Sequence, residues 1–220
     1  MLSVTNLDVA IAGAPILRGV SFGLRAGETV ALVGRNGAGK TTTLRAIMGL
    51  VPARGGAIAF EGADLMQAPA HRRASLGIGY APEDRRLFSA FTVAENILLP
   101  AEVARLAPEE TARRLARAYA VLPELREMAR RPAGSVSGGQ GKMVALARAL
   151  MSGTKLVFLD EPFQGLAPAL AKRYAEALGN LRDIDPALTL LITESNPGLL
   201  EQIAGRTLVI ERGEIREAGA

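Results

Sequence analysis

Cysteine is absent from this 220-residue chain, and histidine occurs once, as His71. Without cysteine there is no disulfide framework, thiolate metal site or cysteine nucleophile, which fits a reducing compartment. A single histidine excludes a histidine-rich metal centre and argues against a Ser-His-Asp triad. Tryptophan is also absent, and aromatic residues make up only 4%. Aromatic platforms for stacking nucleic-acid bases are therefore scarce. No apolar run approaches the roughly 18 residues that span a bilayer. The opening stretch, MLSVTNLDVAIAG, lacks the basic-then-apolar order of a secretory signal. The expectation is a soluble, non-exported chain whose membrane role, if any, runs through a partner.

What is present is the balance of a globular protein, 49% hydrophobic and 22% charged residues. The length suffices to bury most apolar surface without covalent help. The formal charge is +4, and its cations are nearly all arginine, often in pairs such as Arg72–Arg73 and Arg113–Arg114. With no aromatics interleaved, these read as solvated helix faces, and nucleic acid is not an expected partner.

Glycine and proline punctuate the chain. Residues 2–9 and 16–24 read as early antiparallel strands, and TVALV at 29–33 as a short buried strand followed by a helix over 40–49. Further strands are expected at 57–60 and 76–81. Residues 83–135 are rich in Arg, Ala and Glu, with helical spacing at 92–104 and 108–120. They read as a helical subdomain inserted into an α/β core. A helix at 139–152, a strand at 155–159, helices at 168–182 and 197–204, a strand at 188–193 and a hairpin of 206–211 and 214–218 complete the reading. Alternating strands and helices imply a mostly parallel sheet covered on both faces.

GRNGAGKT, Gly34 to Thr41, matches G-x-x-x-x-G-K-[ST] in full, between a strand and a helix. Its glycines can turn backbone N–H groups inward as an anion nest, with the helix N-terminus facing the phosphates. Lys40 can reach the β- and γ-phosphates, and the Thr41 hydroxyl can ligate Mg²⁺. Gly34, Arg35, Asn36, Gly37, Ala38, Gly39, Lys40, Thr41 and Thr42 are the candidate nucleotide contacts. KLVFLDEP places Asp160 and Glu161 at the C-terminal edge of a buried strand, which faces the ligand crevice in a doubly wound sheet. Asp160 can hold Mg²⁺ through water, and Glu161 can orient or deprotonate an attacking water.

GRNGAGKT, SVSGGQ at 135–140 and LVFLDEP at 156–162, in that order, resemble the ATP-binding subunit of an ATP-binding-cassette (ABC) transporter over essentially the whole chain. The resemblance implies a P-loop NTPase core with a mostly parallel sheet, an N-terminal antiparallel β subdomain and an inserted helical subdomain, residues 1–220 forming one nucleotide-binding domain. It implies an Mg-dependent ATPase. Two cassettes, either a homodimer or a pair of related chains, would close over two ATP molecules. Ser137, Gly138, Gly139 and Gln140 would then contact the γ-phosphate of ATP bound by the opposite subunit. Glu83 stands where the family has a glutamine that senses Mg²⁺ and the nucleophilic water and touches the membrane partner. GYAPEDRRLF, FTVAEN and EPFQGLAP are similar to the branched-chain amino acid importer group. The expected partners are ATP, a second cassette and transmembrane permease subunits, at the cytoplasmic face of the cell membrane. The weighed alternatives are another cargo such as a lipid, a weakly hydrolysing regulatory cassette, and a soluble ATPase acting on nucleic acid or ribosomes.

Two positions depart from the family pattern. Ser195 stands at the switch position usually held by histidine, and serine carries no positive charge. Slow intrinsic hydrolysis is therefore expected, because such a group typically contributes ~10²–10⁴-fold. Ile11 stands near the position of the usual aromatic adenine platform, which predicts weaker selectivity for adenine over guanine. His71 is expected to be an ordinary surface histidine.

Overall fold

The computed structural model describes residues 1–218, so positions 219 and 220 of the expected domain lie outside the described residues. The chain opens with β1 (Leu2–Ile11) and β2 (Ala14–Leu24), then β3 (Thr29–Val33) and α1 (Lys40–Ile47). β4 (Gly55–Phe60), β5 (Ala63–Asp64), α2 (Ala70–Arg73) and β6 (Ile78–Ala81) follow. The middle of the chain is helical, with α3 (Val93–Val103), α4 (Pro108–Val121), α5 (Glu124–Glu127) and α6 (Gly138–Ser152). It closes with β7 (Leu156–Asp160), α7 (Pro168–Ile184), β8 (Thr189–Glu194), β9 (Arg206–Glu211) and β10 (Glu214–Glu217).

Two sheets form. One is antiparallel, in the order β2-β1-β4-β5, and the other runs β10-β9-β3-β8-β7-β6. In the second sheet β9, β3, β8, β7 and β6 are parallel, and only β10 runs against its neighbour.

The continuous apolar runs of β3, β7 and β8 are explained by burial on both faces, since successive side chains point to opposite sides. Val30, Leu32, Leu156, Phe158 and Leu191 join the core beneath the antiparallel sheet and α1. Ala31, Val157, Leu159, Leu190 and Ile192 join the other core, shared with α3, α4, α6 and α7. One chain thus carries an antiparallel β layer, a mostly parallel central sheet and a helical layer.

Helix ends follow local chemistry. Thr92 caps α3 in a reciprocal arrangement with Glu95, and Ser137 caps α6 in the same way with Gln140. α4 begins with Pro108 and carries Glu109 and Glu110 in its first turn. The C-terminal carbonyls of α6 are taken by α4. Arg114 donates to Met151 O, and Arg117 donates to Leu150 O and Gly153 O.

Two expectations are corrected. Residues 197–204 are a succession of turns, not a helix. Asn196 Oδ1 accepts from Gly198 N at 3.1 Å, a side-chain turn that competes with helix initiation, and Gly198 is a poor helix former. The strand expected from 76 begins at Ile78, because Ala74–Leu76 form a 3₁₀ turn ended by Gly77 at φ 94. His71 is exposed on α2, as expected.

A candidate nucleotide site at the strand ends

The phosphate loop leaves β3 at Val33 and enters α1 at Lys40. Gly39, the residue before α1, has φ 116, which a side chain strongly disfavours. At Gly34 a Cβ would lie 2.4 Å from Ile210 O, so the close approach of loop to β9 requires glycine. The first turn of α1 has neither a side-chain cap nor an acidic residue. Its N–H groups and the positive end of its dipole are left open to an anion.

Lys40 lies in the centre of the site, with its side chain 3% exposed. Its Nζ donates to Gly34 O at 2.6 Å, Arg35 O at 3.2 Å and Ser195 Oγ at 3.0 Å. It also pairs with Glu161 Oε1 at 2.9 Å. Ser195 Oγ lies 2.7 Å from Asn36 Oδ1 and 2.9 Å from Glu161 Oε1. Its single proton serves one of these acceptors at a time. Residues from the loop, β7 and the end of β8 therefore meet at one ammonium group.

A second cluster lies beside it. Asp160 Oδ1 accepts from Thr41 Oγ1 at 2.9 Å and from Thr193 Oγ1 at 2.8 Å, and Oδ2 accepts from Tyr80 OH at 3.0 Å. Burial, reinforced by the Asp160 charge, pushes the Tyr80 phenol well above its ordinary pKa, so it stays a donor. Thr41 Oγ1 and the Asp160 carboxylate are hard oxygen donors that suit Mg²⁺. Among the described residues no group of three or more His, Cys, Asp or Glu side chains is placed to hold a metal ion. An ion here would complete its shell with phosphate oxygens and water, the usual habit of Mg²⁺.

Glu161 has φ 46, in the left-handed region uncommon for a residue with a side chain. Its N–H donates to Thr193 O and Thr193 Oγ1, each at 3.1 Å, and its carbonyl accepts from Lys142 Nζ. Glu194 Oε1 accepts from Phe163 N at 2.8 Å. Burial, with a smaller contribution from the neighbouring Glu161 charge, pushes the Glu194 carboxyl up to about 7. Burial also lowers the pKa of Lys142, against the attraction of Glu194, Glu83 and Glu161.

A cavity of about 370 Å³ spans these elements, lined by Ile16, Asn36, Gly37, Gly39, Lys40, Thr41, Thr42, Glu83, Glu161 and Gln164. Arg35 and Ala38 line a neighbouring cavity with β9. Ile11 lies elsewhere, exposed at the β1–β2 turn opposite Ala14, and Ile16 is the apolar side chain of the first hairpin in the cavity wall. The SVSGGQ segment, residues 135–140, does not line this cavity. Ser137 Oγ accepts from Gln140 N at 3.2 Å, and Gln140 Oε1 accepts from Ser137 N at 3.0 Å. Gly138 O accepts from Arg85 Nη1 at 3.1 Å, and Gly139 packs so closely on Leu170 that a Cβ would lie 1.9 Å from its Cδ2.

The structure thus unites Lys40, Thr41, Asp160, Glu161 and Ser195. Four participants escape sequence inspection: Tyr80, Thr193, Glu194 and Lys142. Thr193 is the parallel partner of Asp160, a legible signal once β7 and β8 are known to be neighbours. Lys142, one of two cations with Arg148 in an otherwise apolar helix, carries no such signal.

A phosphate loop entering a helix, with two carboxylates at the end of a parallel strand, defines the P-loop nucleoside triphosphatase class. The ABC transporter family pattern matches residues 17–164. The chain is 34% identical over 215 residues to the high-affinity branched-chain amino acid transport ATP-binding protein BraG of Pseudomonas aeruginosa, covering 98% of this chain and 91% of that protein. It is also 34% identical to the lipopolysaccharide export system ATP-binding protein LptB of Escherichia coli, over 97% of this chain and 88% of that protein. Among solved structures, an ATP-binding subunit of an ABC transporter superposes with a TM-score of 0.85 at 28% identity, covering 100% of this chain and 90% of the other. The ADP conformation of an ABC transporter cassette gives 0.82 at 27% identity, over 98% and 89%. The chain belongs to the ABC transporter family, as an ATP-binding subunit.

Proposed function

We propose that this subunit hydrolyses Mg-ATP and that the hydrolysis drives a membrane permease, with a branched-chain or other amino acid as cargo. The observation that carries the reading is the convergence of Lys40, Glu161 and Ser195, with the Thr41–Asp160 pair alongside. In this reading the phosphate loop, Gly34 to Thr42, cradles the phosphates, and Lys40 exchanges Glu161 for phosphate oxygens. Mg²⁺, held by Thr41, Asp160 and waters within reach of Glu83, would offset phosphate charge when bound. Released from Lys40, the Glu161 carboxylate orients the attacking water and accepts its proton, while Ser195 hydrogen-bonds the phosphate rim. Serine adds no positive charge there, so turnover is slow. Ile16, rather than Ile11 or an aromatic ring, faces the base side, which favours weak discrimination of ATP from GTP.

Ser137, Gly138, Gly139 and Gln140 complete the site of a second cassette, either another copy or a related chain. Their distance from the cavity lining and the preformed cap of α6 support that assignment. The whole chain acts as one domain, with residues 83–135 as its helical part. The exposed Phe88 and Phe91 rings, stacked at 5.4 Å on the loop after β6, suit a contact with the permease. No helix among the described residues is long and apolar enough to cross a membrane, and the permease supplies the crossing. The cargo rests on the likeness to BraG, and the equal identity to LptB favours a second reading in which the cargo is a lipid.

The test is Mg-ATP turnover by wild type and Glu161→Gln, with molecular mass measured in ATP. The expected result is slow wild-type hydrolysis and an ATP-loaded dimer of the variant. Unchanged turnover in the variant would remove Glu161 from its assigned role.

A further inference from the structure

Resting on the assignment of Glu161 as the carboxylate that activates water, we infer that Lys142 and Glu194 are positioning residues that hold the turn presenting it. A non-glycine residue at φ 46 is strained and persists only when its surroundings over-determine it. Here the anchors come from two directions. From β8, Thr193 takes the Glu161 N–H and Glu194 takes the Phe163 N–H at 2.8 Å. From α6, Lys142 Nζ donates to the Glu161 carbonyl. The backbone is therefore gripped at Glu161 on both sides and again two residues later.

Lys142 is costly to place where it is. It lies beside Ala81, Pro82, Ala145, Leu159, Pro162 and Tyr174, with Asp160 the one carboxylate in that small cavity, and its helix neighbours Met143, Val144 and Ala145 are buried. A cation in such surroundings loses hydration and needs compensating charge. Glu194, Glu83 and Glu161 supply it. Lys142 also stands one turn along the helix whose first turn carries Ser137 to Gln140. α6 is continuous and capped at its start, so a displacement of its N-terminus is transmitted to Lys142, and from there through one hydrogen bond to Glu161. In the proposed dimer, α6 serves the partner's nucleotide at its tip and its own chain's carboxylate one turn later. Lys142 then ties closure of one site to readiness of the other.

The experiment compares full-length wild type, Lys142→Met, Lys142→Arg, Glu194→Leu, Glu194→Gln and Glu161→Gln. Steady-state Mg-ATP turnover, equilibrium ATP binding and hydrogen exchange of the segment 160–166 are read for each. A carboxylate misplaced by about an ångström loses roughly 10- to 100-fold in kcat. Lys142→Met and Glu194→Leu are expected to show that loss with KM and ATP affinity within twofold of wild type, and faster exchange of 160–166. Lys142→Arg restores the donor, and Glu194→Gln keeps an acceptor for the Phe163 N–H, so both are expected to recover most of kcat. Wild-type kcat in Lys142→Met, or parallel loss of affinity and kcat without rescue by arginine, would overturn the inference. If every protein turns over too slowly to compare, unchanged exchange of 160–166 in Lys142→Met overturns it instead. Glu161→Gln keeps the two readings separate. Full activity there defeats the water-activating role, whereas an inactive Glu161→Gln beside a wild-type-like Lys142→Met defeats only the positioning role.

Discussion

Replacing Glu194 by glutamine should make the protein more stable at alkaline pH and leave it nearly unchanged at acid pH. Glu194 is buried at the end of β8, and its carboxyl titrates near 7 in the fold against an ordinary value of 4.5. Between those values the native protein keeps a proton that the unfolded chain has released. Stability therefore falls as pH rises through this window, and the loss is complete above about 7. The difference between the two values corresponds to about 3 kcal/mol at most. For a chain of this length, that is roughly 6–12 °C in melting temperature. Glutamine is neutral at every pH and keeps an acceptor for the Phe163 N–H, so it escapes this loss. Calorimetric unfolding of both proteins from pH 4 to pH 8 provides the assay. The variant-minus-wild-type difference cancels the other titrating groups and should grow from near zero to its full value across that range. A difference that stays constant with pH, or shrinks as pH rises, would refute burial as the dominant influence on Glu194.

Two further outcomes are expected. Arg73, 6% exposed, donates to Ala68 O at 2.9 Å, to Ala46 O at 3.1 Å and to Ile47 O, which closes the end of α1. Arg73→Met leaves the buried Ile47 carbonyl without its partner, while Ala46 O keeps the Gly49 N–H, and should cost about 1–3 kcal/mol in denaturant unfolding. Ser137→Ala removes the α6 cap and should cost about 1 kcal/mol by the same measurement, with ATP affinity of the isolated subunit unchanged.

Much of the fold was legible because its strands are buried on both faces. TVALV and KLVFLD read as strands by their apolar runs, and the phosphate loop fixed where α1 begins. The site was legible where a contiguous motif carries the chemistry, as in Gly34–Thr41 and Asp160–Glu161. It was obscure where long-range pairing makes the contact. Tyr80 reaches Asp160 because β6 and β7 are neighbours, and Lys142 reaches the Glu161 carbonyl across a helix–strand interface. Neither pairing leaves a local pattern. The helix expected at 197–204 failed for a local reason, since Asn196 and Gly198 stabilise a turn where the apolar spacing alone suggested a helix.

The position of β3 bears on how the protein is made. Both its neighbours in the central sheet, β8 and β9, come from the last part of the chain, with Thr29 paired to Leu190 and Val30 to Arg206. A ribosome adding about 5–20 residues per second needs roughly ten to thirty seconds to deliver β8 after β3. During that interval the phosphate loop has its sequence but no sheet to hold it, and Ser195 has not been synthesised. A nascent chain therefore cannot assemble this site early. Nucleotide capture and the machinery to hydrolyse it arrive together, once β8 and β9 have been made, so a chain that stops short of them has no means of consuming ATP.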